Sequence, residues 1–328
     1  MTTQTAPSAA TEHARVFVTT HLAAAIALGR VAGNLVQDPA AMTTALRDGL
    51  PALADPAYLD GQRRVAPGIG QLFGVRTPLL DGVTRGLRAA TRHDRSTVLL
   101  DAADRLLREP VLELRWLAFD LLGRSITAEP ERAWQLVRGA ARSAAVWITV
   151  DTLAHVAAAG ILAEPFRWAE LEQLVYSPSR WERRLAGSTI AVLPFADRVA
   201  GRQQVVARRG LAIVGDLIGD ADPEVQKALS WALRNLLLVD PAAVTATLAA
   251  EAVLAAATDD GQRAWVIRDT MAKLPTPTAA RLRATLEGVR RHPRTTSTSR
   301  ASAAAAEFLG AGIGLEVAPA ERASMARA

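Results

Sequence analysis

DADPEVQKALSWAL, residues 220–233, is the stretch whose reading decides the fold. It sets an acidic cap before a proline and runs on into an apolar helix, the arrangement in which a carboxylate satisfies the first free backbone N–H groups and the ring pre-sets φ. Three other stretches repeat its pattern of charged or aromatic residues leading into an apolar–small step: EPVLELRWLAFDLL (109–122), SAAVWITVDTLAHV (143–156) and SPSRWERRLAGSTI (177–190). Superposing Leu117, Val150, Leu185 and Leu229 gives steps of 33, 35 and 44 residues. Each step leaves room for a second helix, near 131–142, 167–176, 198–218 and 241–256. One such pair cannot bury its own apolar face, so neighbours must stack. The prediction is an all-α chain, an α-solenoid of HEAT-like helix pairs with a concave face.

Composition agrees outward from that stretch. Half of the residues are hydrophobic, with only two Tyr and six Phe, and no long period-two alternation marks a strand,. Ala, Leu and Arg dominate, all residues that lose little on entering a helix. Helical patterns are expected over 11–36, 39–48 and 51–64, followed by a Gly- and Pro-rich break, PGIGQLFGVRTP (67–78), that ends with Thr77 as an N-cap and Pro78 at the first helical position,. A final pair over 261–273 and 277–291 closes the array. The expected organisation is a frayed segment at 1–10, one repeat domain over 11–291, and a solvated low-complexity tail over 292–328 with a short helix near 303–309.

Charge and missing residue types exclude several chemistries. Lys plus Arg number 38 against 33 Asp plus Glu, for a net charge of +5 carried almost wholly by Arg. Arginine forks match phosphate oxygens in pairs, which makes nucleic acid one reading of this excess. There is no cysteine, so disulfides, thiolate metal sites and cysteine nucleophiles are excluded, as suits a cytoplasmic protein,. The five histidines (13, 21, 93, 155 and 292) are scattered and predict no metal site, and no cofactor motif occurs,. The N-terminal segment lacks the pattern of a signal peptide. The apolar run at 16–36 is interrupted by His21, Arg30 and Asn34 and reads as a buried helix rather than a membrane span,.

The repeat alignment singles out one carboxylate. After the superposed apolar residue come Ala118, Asp151, Ala186 and Ser230, so three repeats keep this position small and one does not. Asp151 follows Trp147 by four residues, which puts both on one helix face. His155 lies a further turn along. Two readings stay open on pattern alone: Asp151 pairs with His155 while Trp147 fills the core, or the pair faces a substrate. Trp181 and Trp231 read as core, and Arg183 with Arg184 as a solvated face.

A resemblance begins at these residues. AVWITVDTL (145–153) resembles the W-x-x-x-D segment of AlkD-type DNA glycosylases, a HEAT-like repeat family of alkylation-repair enzymes. SRWERRLAG (179–187) resembles their W-x-x-R-x-A segment, VQKALSWALRNLLLVDP (225–241) their Q-K-A-x-x-W-x-L-R segment, and LFGVRTP (72–78) the G-I/V-x-T-P turn that opens the repeats. The similarity covers roughly 65–255 in order and spacing. Family members often carry an aromatic and an Asp where this chain has Val146 and Ile148.

The resemblance implies excision of positively charged N3- or N7-alkylated purines from double-stranded DNA by a monomeric enzyme without cofactor or metal. It implies catalytic roles for Asp151, Trp147 and Trp231, and DNA contacts by Arg184, joined by Arg183, Lys227 and Arg234. The lesion would be recognised without insertion into a deep pocket, unlike ordinary base flipping, and the concave face would cradle the duplex. With few lysines, Lys227 and Lys273 among them, a Schiff-base lyase is not expected. Bulky natural-product adducts, and so a self-resistance role, are a narrower expectation. A non-catalytic HEAT-repeat module binding DNA or a protein is the alternative.

Overall fold

Aspartate–proline pairs set many of the helix starts. Asp38, Asp55, Asp222 and Asp240 each precede a proline and accept hydrogen bonds from backbone N–H groups of the first turn, which would otherwise stay unsatisfied. The computed structural model describes residues 9–292 and 295–310. Among them the regular structure is helical, broken only by short 3-10 turns and two isolated β-bridges. The protein is all-α.

The chain divides into two compact units, one ending at Arg167 and one starting at Trp168. The first holds α1 (Ala9–Asn34), α2 (Pro39–Gly49), α3 (Pro56–Val65), α4 (Thr77–Ala90), α5 (Ser96–Leu107), α6 (Leu112–Ser125), α7 (Pro130–Arg142) and α8 (Trp147–Ala163). Here α5 packs on α6 and α7 on α8, while α4, α6 and α8 follow one another as a row. The second holds α9 (Trp168–Leu174), α10 (Arg180–Ala196), α11 (Gln204–Leu217), α12 (Pro223–Leu236), α13 (Pro241–Thr258), α14 (Gly261–Thr270), α15 (Thr276–Thr285) and α16 (Arg300–Gly310). Its row is α10, α12 and α14, with α11 and α13 packed against it. The superposed residues Leu117, Val150, Leu185 and Leu229 sit on α6, α8, α10 and α12, and all four are buried.

Several boundaries differ from expectation, each for a local reason. The helix expected over 51–64 is split, because Pro51 starts a 3-10 turn at Leu50–Leu53 and Asp55 restarts the chain as the cap of α3. Thr77 is not the cap of α4 but its first residue. Arg76 takes the extended cap conformation, its guanidinium bound to Asp55, while the Thr77 hydroxyl pairs with Tyr58. The helix expected over 277–291, α15, ends at Thr285, with Gly288 beyond it at φ 83°.

The largest correction concerns the tail. Residues 295–310, expected as solvated, dock on the second unit: Thr298 N donates to Gly219 O at 2.9 Å, Ser299 and Ala301 are buried, and Arg300 pairs with Asp216. Gly219 makes this possible, since a Cβ there would stand 2.3 Å from Thr298 Oγ1. The expected helix is present, from Arg300. Residues 1–8 and 311–328, which include most of the predicted frayed start and the end of the tail, lie outside the described residues.

By length and composition, α1 and α13 are long and apolar enough to cross a membrane, so the polar interruptions at 16–36 weigh less than expected. In the fold each buries one face in its own unit: Ala25, Gly29, Ala32 and Gly33 for α1, and Val244, Leu248, Ala252 and Ala255 for α13.

The α1–α4 crossing depends on two glycines. A Cβ on Gly29 would lie 1.9 Å from Val83 O, and one on Gly86 2.0 Å from Ile26 O. Backbone meets backbone here, and neither helix can yield as a side chain would. Gly86→Val should therefore destabilise the fold by about 3 kcal/mol, as overpacking at a rigid contact does. Gly139→Ala on α7, where a Cβ would meet nothing within 4 Å, should be neutral or stabilising by up to about 1 kcal/mol through helix propensity. Thermal or denaturant unfolding of the two variants checks both.

Candidate active site on helix α8

The start of α8 is fixed from outside the helix. Val146 is its N-cap, extended at φ −144° with no side-chain cap. It is held by burial in a small apolar cluster with Ala66, Ile69, Leu72 and Leu112, against which Trp116 and Ile148 also pack. That accounts physically for Val146: the position fills a core.

The cluster rests on a loop, residues 66–76, that has no helix or strand of its own. One oxygen of the buried Glu113, Oε1, accepts from Phe73 N at 3.0 Å, Gly74 N at 2.8 Å and Val75 N at 3.2 Å. Leu112 N donates back to Gln71 O at 2.9 Å. Gly68, Gly70 and Gly74 take φ near 85–88°, which the turns of this loop require,. Glu113 thus pins the loop, the loop supports Val146, and Val146 places Trp147 as the first helical residue. Sequence reasoning missed Glu113; a charged residue at an otherwise apolar helical position was the available signal.

Most of α8 beyond its first turn is shut away. Thr149, Val150, Leu153, Ala154, Val156, Ala157, Ala158, Gly160 and Ile161 are buried. The side left open carries Trp147 and Asp151, both half-buried, and the exposed His155. At the position equivalent to Asp151, Ala118, Ala186 and Ser230 are fully buried. The odd carboxylate of the alignment is therefore also the one that reaches the surface.

The walls beside the His155 ring lower its imidazole pKa through desolvation, and the charge of Asp151 acts in the opposite sense, raising it. Beside this stripe a cavity of about 920 Å³ opens between α4, α6 and α8, with Ile148, Thr152 and His155 on its α8 wall.

The second unit holds the other predicted residues. Arg184 on α10 is only 4% exposed, and its Nη1 donates to Glu224 O at 2.6 Å and Glu224 Oε2 at 3.1 Å. Lys227 binds the other oxygen of the same carboxylate at 2.8 Å. Glu224 thus joins Arg184 to Lys227. Arg183 pairs with Asp220 at 2.7 Å and also donates to the Ser177 and Pro178 carbonyls. Arg234 pairs with Asp269, which Ser230 also reaches. Trp231 is half-buried on α12, and Trp181 is buried under Arg180, as its core reading anticipated. The arginines read as a solvated face are thus tied into networks whose carboxylates lie about 40 residues away in sequence, beyond the reach of local pattern. Among the described residues no cluster of His, Asp and Glu could hold a metal ion.

A family model described as DNA alkylation repair enzyme matches residues 46–274. No curated protein matches the chain.

Two measurements probe this architecture. Glu113→Ala leaves three backbone N–H groups, two of them buried, without their acceptor and should cost about 2–3 kcal/mol of stability in denaturant unfolding. In an NMR titration His155 should protonate below the ordinary histidine value. Because Asp151 raises that pKa, Asp151→Asn should lower it further; a rise instead would mean that the two do not face each other.

Proposed function

Since the chain belongs to the DNA alkylation repair enzyme family, we propose that it is a monofunctional DNA glycosylase excising positively charged N3- or N7-alkylated purines from duplex DNA. The observation that carries this reading is the half-open Asp151 on a helix otherwise packed away, at a position where the sister repeats bury Ala or Ser.

The chemistry follows from the substrate's charge. Alkylation at N3 or N7 makes the purine cationic and weakens its bond to C1′, so the base needs no general acid to leave. As that bond breaks, its electron pair goes to the purine and neutralises it, while positive charge develops on the sugar in an oxocarbenium-like transition state. Asp151 offers a carboxylate to that cation. Two unit charges about 4 Å apart attract by about 4 kcal/mol at an effective dielectric near 20. A water oxygen then bonds to C1′, and the carboxylate orients the water and takes its proton before solvent does.

Trp147 sits one turn from Asp151 on α8. Its indole face attracts the cationic sugar by about 0.5–2 kcal/mol. The family resemblance carries the same role to Trp231. It carries a phosphate contact to Arg184, where a backbone phosphate would take the place now held by the Glu224 carboxylate,. Arg183, Lys227 and Arg234, already ion-paired within their unit, are in this reading supporting contacts that exchange partners on binding DNA.

With duplex DNA carrying 7-methylguanine, the wild-type protein should release the free base. Asp151→Asn should slow release by about 10²–10⁴-fold, the range of a positioned carboxylate, with its melting temperature unchanged. Salt-sensitive DNA binding with no base released by the wild type would instead support a non-catalytic DNA-binding module.

A further inference from the structure

The docked segment at 295–302 has no part in the chemistry above, and it lies past the stretch matched by the family, which ends at residue 274. It is nonetheless closely fitted. Gly219 O, in the turn before α12, accepts from Thr298 N at 2.9 Å and from Ser297 Oγ at 3.2 Å. Thr298 Oγ1 stands 3.3 Å from the same carbonyl and also reaches the buried Asp260 carboxylate. The hydroxyls of Ser297, Ser299 and Ser302 lie 2.7–3.0 Å from one another, so the segment is held in a turn of its own. Upstream, Arg291 Nη1 donates to Gln226 Oε1 at 2.9 Å, and a Cβ on Gly261 would stand 2.4 Å from Arg291 Cα. Two glycines, one before α12 and one opening α14, thus receive the C-terminal chain where a side chain would block it.

What this docking fixes is Asp220. Gly219 O belongs to the peptide whose other end is Asp220 N, and that N–H donates to Leu217 O at 2.7 Å. Asp220 O accepts from Gln226 Nε2 at 2.6 Å. Gln226 is fully buried, with its amide nitrogen also on Gln262 Oε1 at 2.7 Å and its oxygen on Arg291. The Asp220 carboxylate, only 2% exposed, accepts from Asp222 N at 2.8 Å through Oδ1 and from Arg183 Nε at 2.7 Å through Oδ2. The C-terminal chain therefore braces Asp220 from both sides, at Gly219 and at Gln226.

Arg183 is aimed by this arrangement. Its Nη1 donates to Ser177 O at 2.8 Å and Pro178 O at 3.0 Å, and its Nε to Asp220. Nη2 stands 3.5 Å from Asp220 Oδ1, the longest of these contacts. A guanidinium with two nitrogens fixed by protein offers the third to an incoming oxygen at little further cost in side-chain entropy.

We propose that residues 295–302 are a positioning strap for DNA binding: docked on Gly219, they hold Asp220 and so keep Arg183 aimed to take a backbone phosphate with Nη2. The inference rests on the DNA contacts of the glycosylase reading and adds to them a segment that acts through Arg183. Asp151 and Trp147 belong to the first unit, so the strap governs affinity and not the bond-breaking step.

Gly219→Ala gives the test, because the three atoms nearest to its Cβ all belong to the strap: Thr298 Oγ1 at 2.3 Å, and Ser299 N and Thr298 C at 2.7 Å. Thr298→Val, which removes the hydroxyl, is the milder variant, and Thr298→Ser, which keeps it, should bind as the wild type does. Binding of the full chain to a duplex carrying 7-methylguanine is titrated at several salt concentrations, with melting temperature and released base measured alongside. Arg183→Ala should weaken binding by about tenfold and lower the slope of log K against log salt by about 1. Gly219→Ala should weaken binding by about fivefold with the same change of slope, while base release at saturating protein stays within about twofold. Added to Arg183→Ala, Gly219→Ala should cost less than about twofold further, since the two act through one contact. Losses that multiply in the double variant, an unchanged salt slope, or wild-type affinity in both Gly219→Ala and Thr298→Val overturns the strap's role, and continued base release then leaves the glycosylase reading standing. The coupled pattern with no base released by the wild type supports the strap and overturns that reading. A wild type that does not bind the duplex overturns both.

Discussion

A carboxylate oxygen that accepts three backbone N–H groups is a strong local constraint, and in this protein the geometry of α8 depends on one. Glu113 belongs to α6, yet its acceptor serves Phe73, Gly74 and Val75 in the loop before α4. That loop has three glycines at positive φ and no regular structure to hold it. Without a fixed anchor it would take many conformations, and ordering it costs on the order of 1–2 kcal/mol per residue. With the anchor, Ile69 and Leu72 become a stable floor for Val146. The first turn of α8, with no side-chain cap of its own, then has a defined start.

This explains how an uncapped helix can present the proposed site residues at its first turn. Helix ends fray unless their free N–H groups are satisfied or the flanking residue is packed. Here packing substitutes for capping. The same device frees the first turn from the usual Ser, Thr or Asp, so that an aromatic can occupy it. Trp147 stands at the first helical position, and Asp151 follows at the first place on the same face with a full turn beneath it.

Much of this was legible in the sequence, and what was not has identifiable causes. The helix pairs were readable because their apolar residues recur at a spacing that only stacking satisfies, and Leu117, Val150, Leu185 and Leu229 are indeed core. Asp151 was readable because three sister positions stay small, a comparison internal to the chain. The state of Arg184 was not. Its partner Glu224 lies 40 residues on, and nothing local distinguishes a guanidinium on a solvated face from one folded over a neighbouring helix. The docking of residues 295–310 escaped for a related reason. A run of Thr, Ser and Arg reads as polar linker, while the feature that receives it is an absence of side chain at Gly219. Low hydrophobicity predicts solvation only when no backbone groove accepts the chain.

The division of labour around α8 also bears on how the protein balances stability against reactivity. The helix is apolar over most of its surface, and its buried residues anchor it against α6 and α7. The stripe of Trp147, Asp151 and His155 adds little to that anchoring, since none of the three is fully buried. On the glycosylase reading proposed above, half-burial suits a carboxylate that acts on a cation. Fully exposed, its field would be screened by water and salt; fully buried, its charge would have to be neutralised or paired at a cost of several kcal/mol. A surface with protein on one side and solvent on the other lets the charge persist in a dielectric low enough for it to matter. The small residues buried at the sister positions mark where the other repeats give this up for packing, and α8 is the repeat in which the exchange runs the other way.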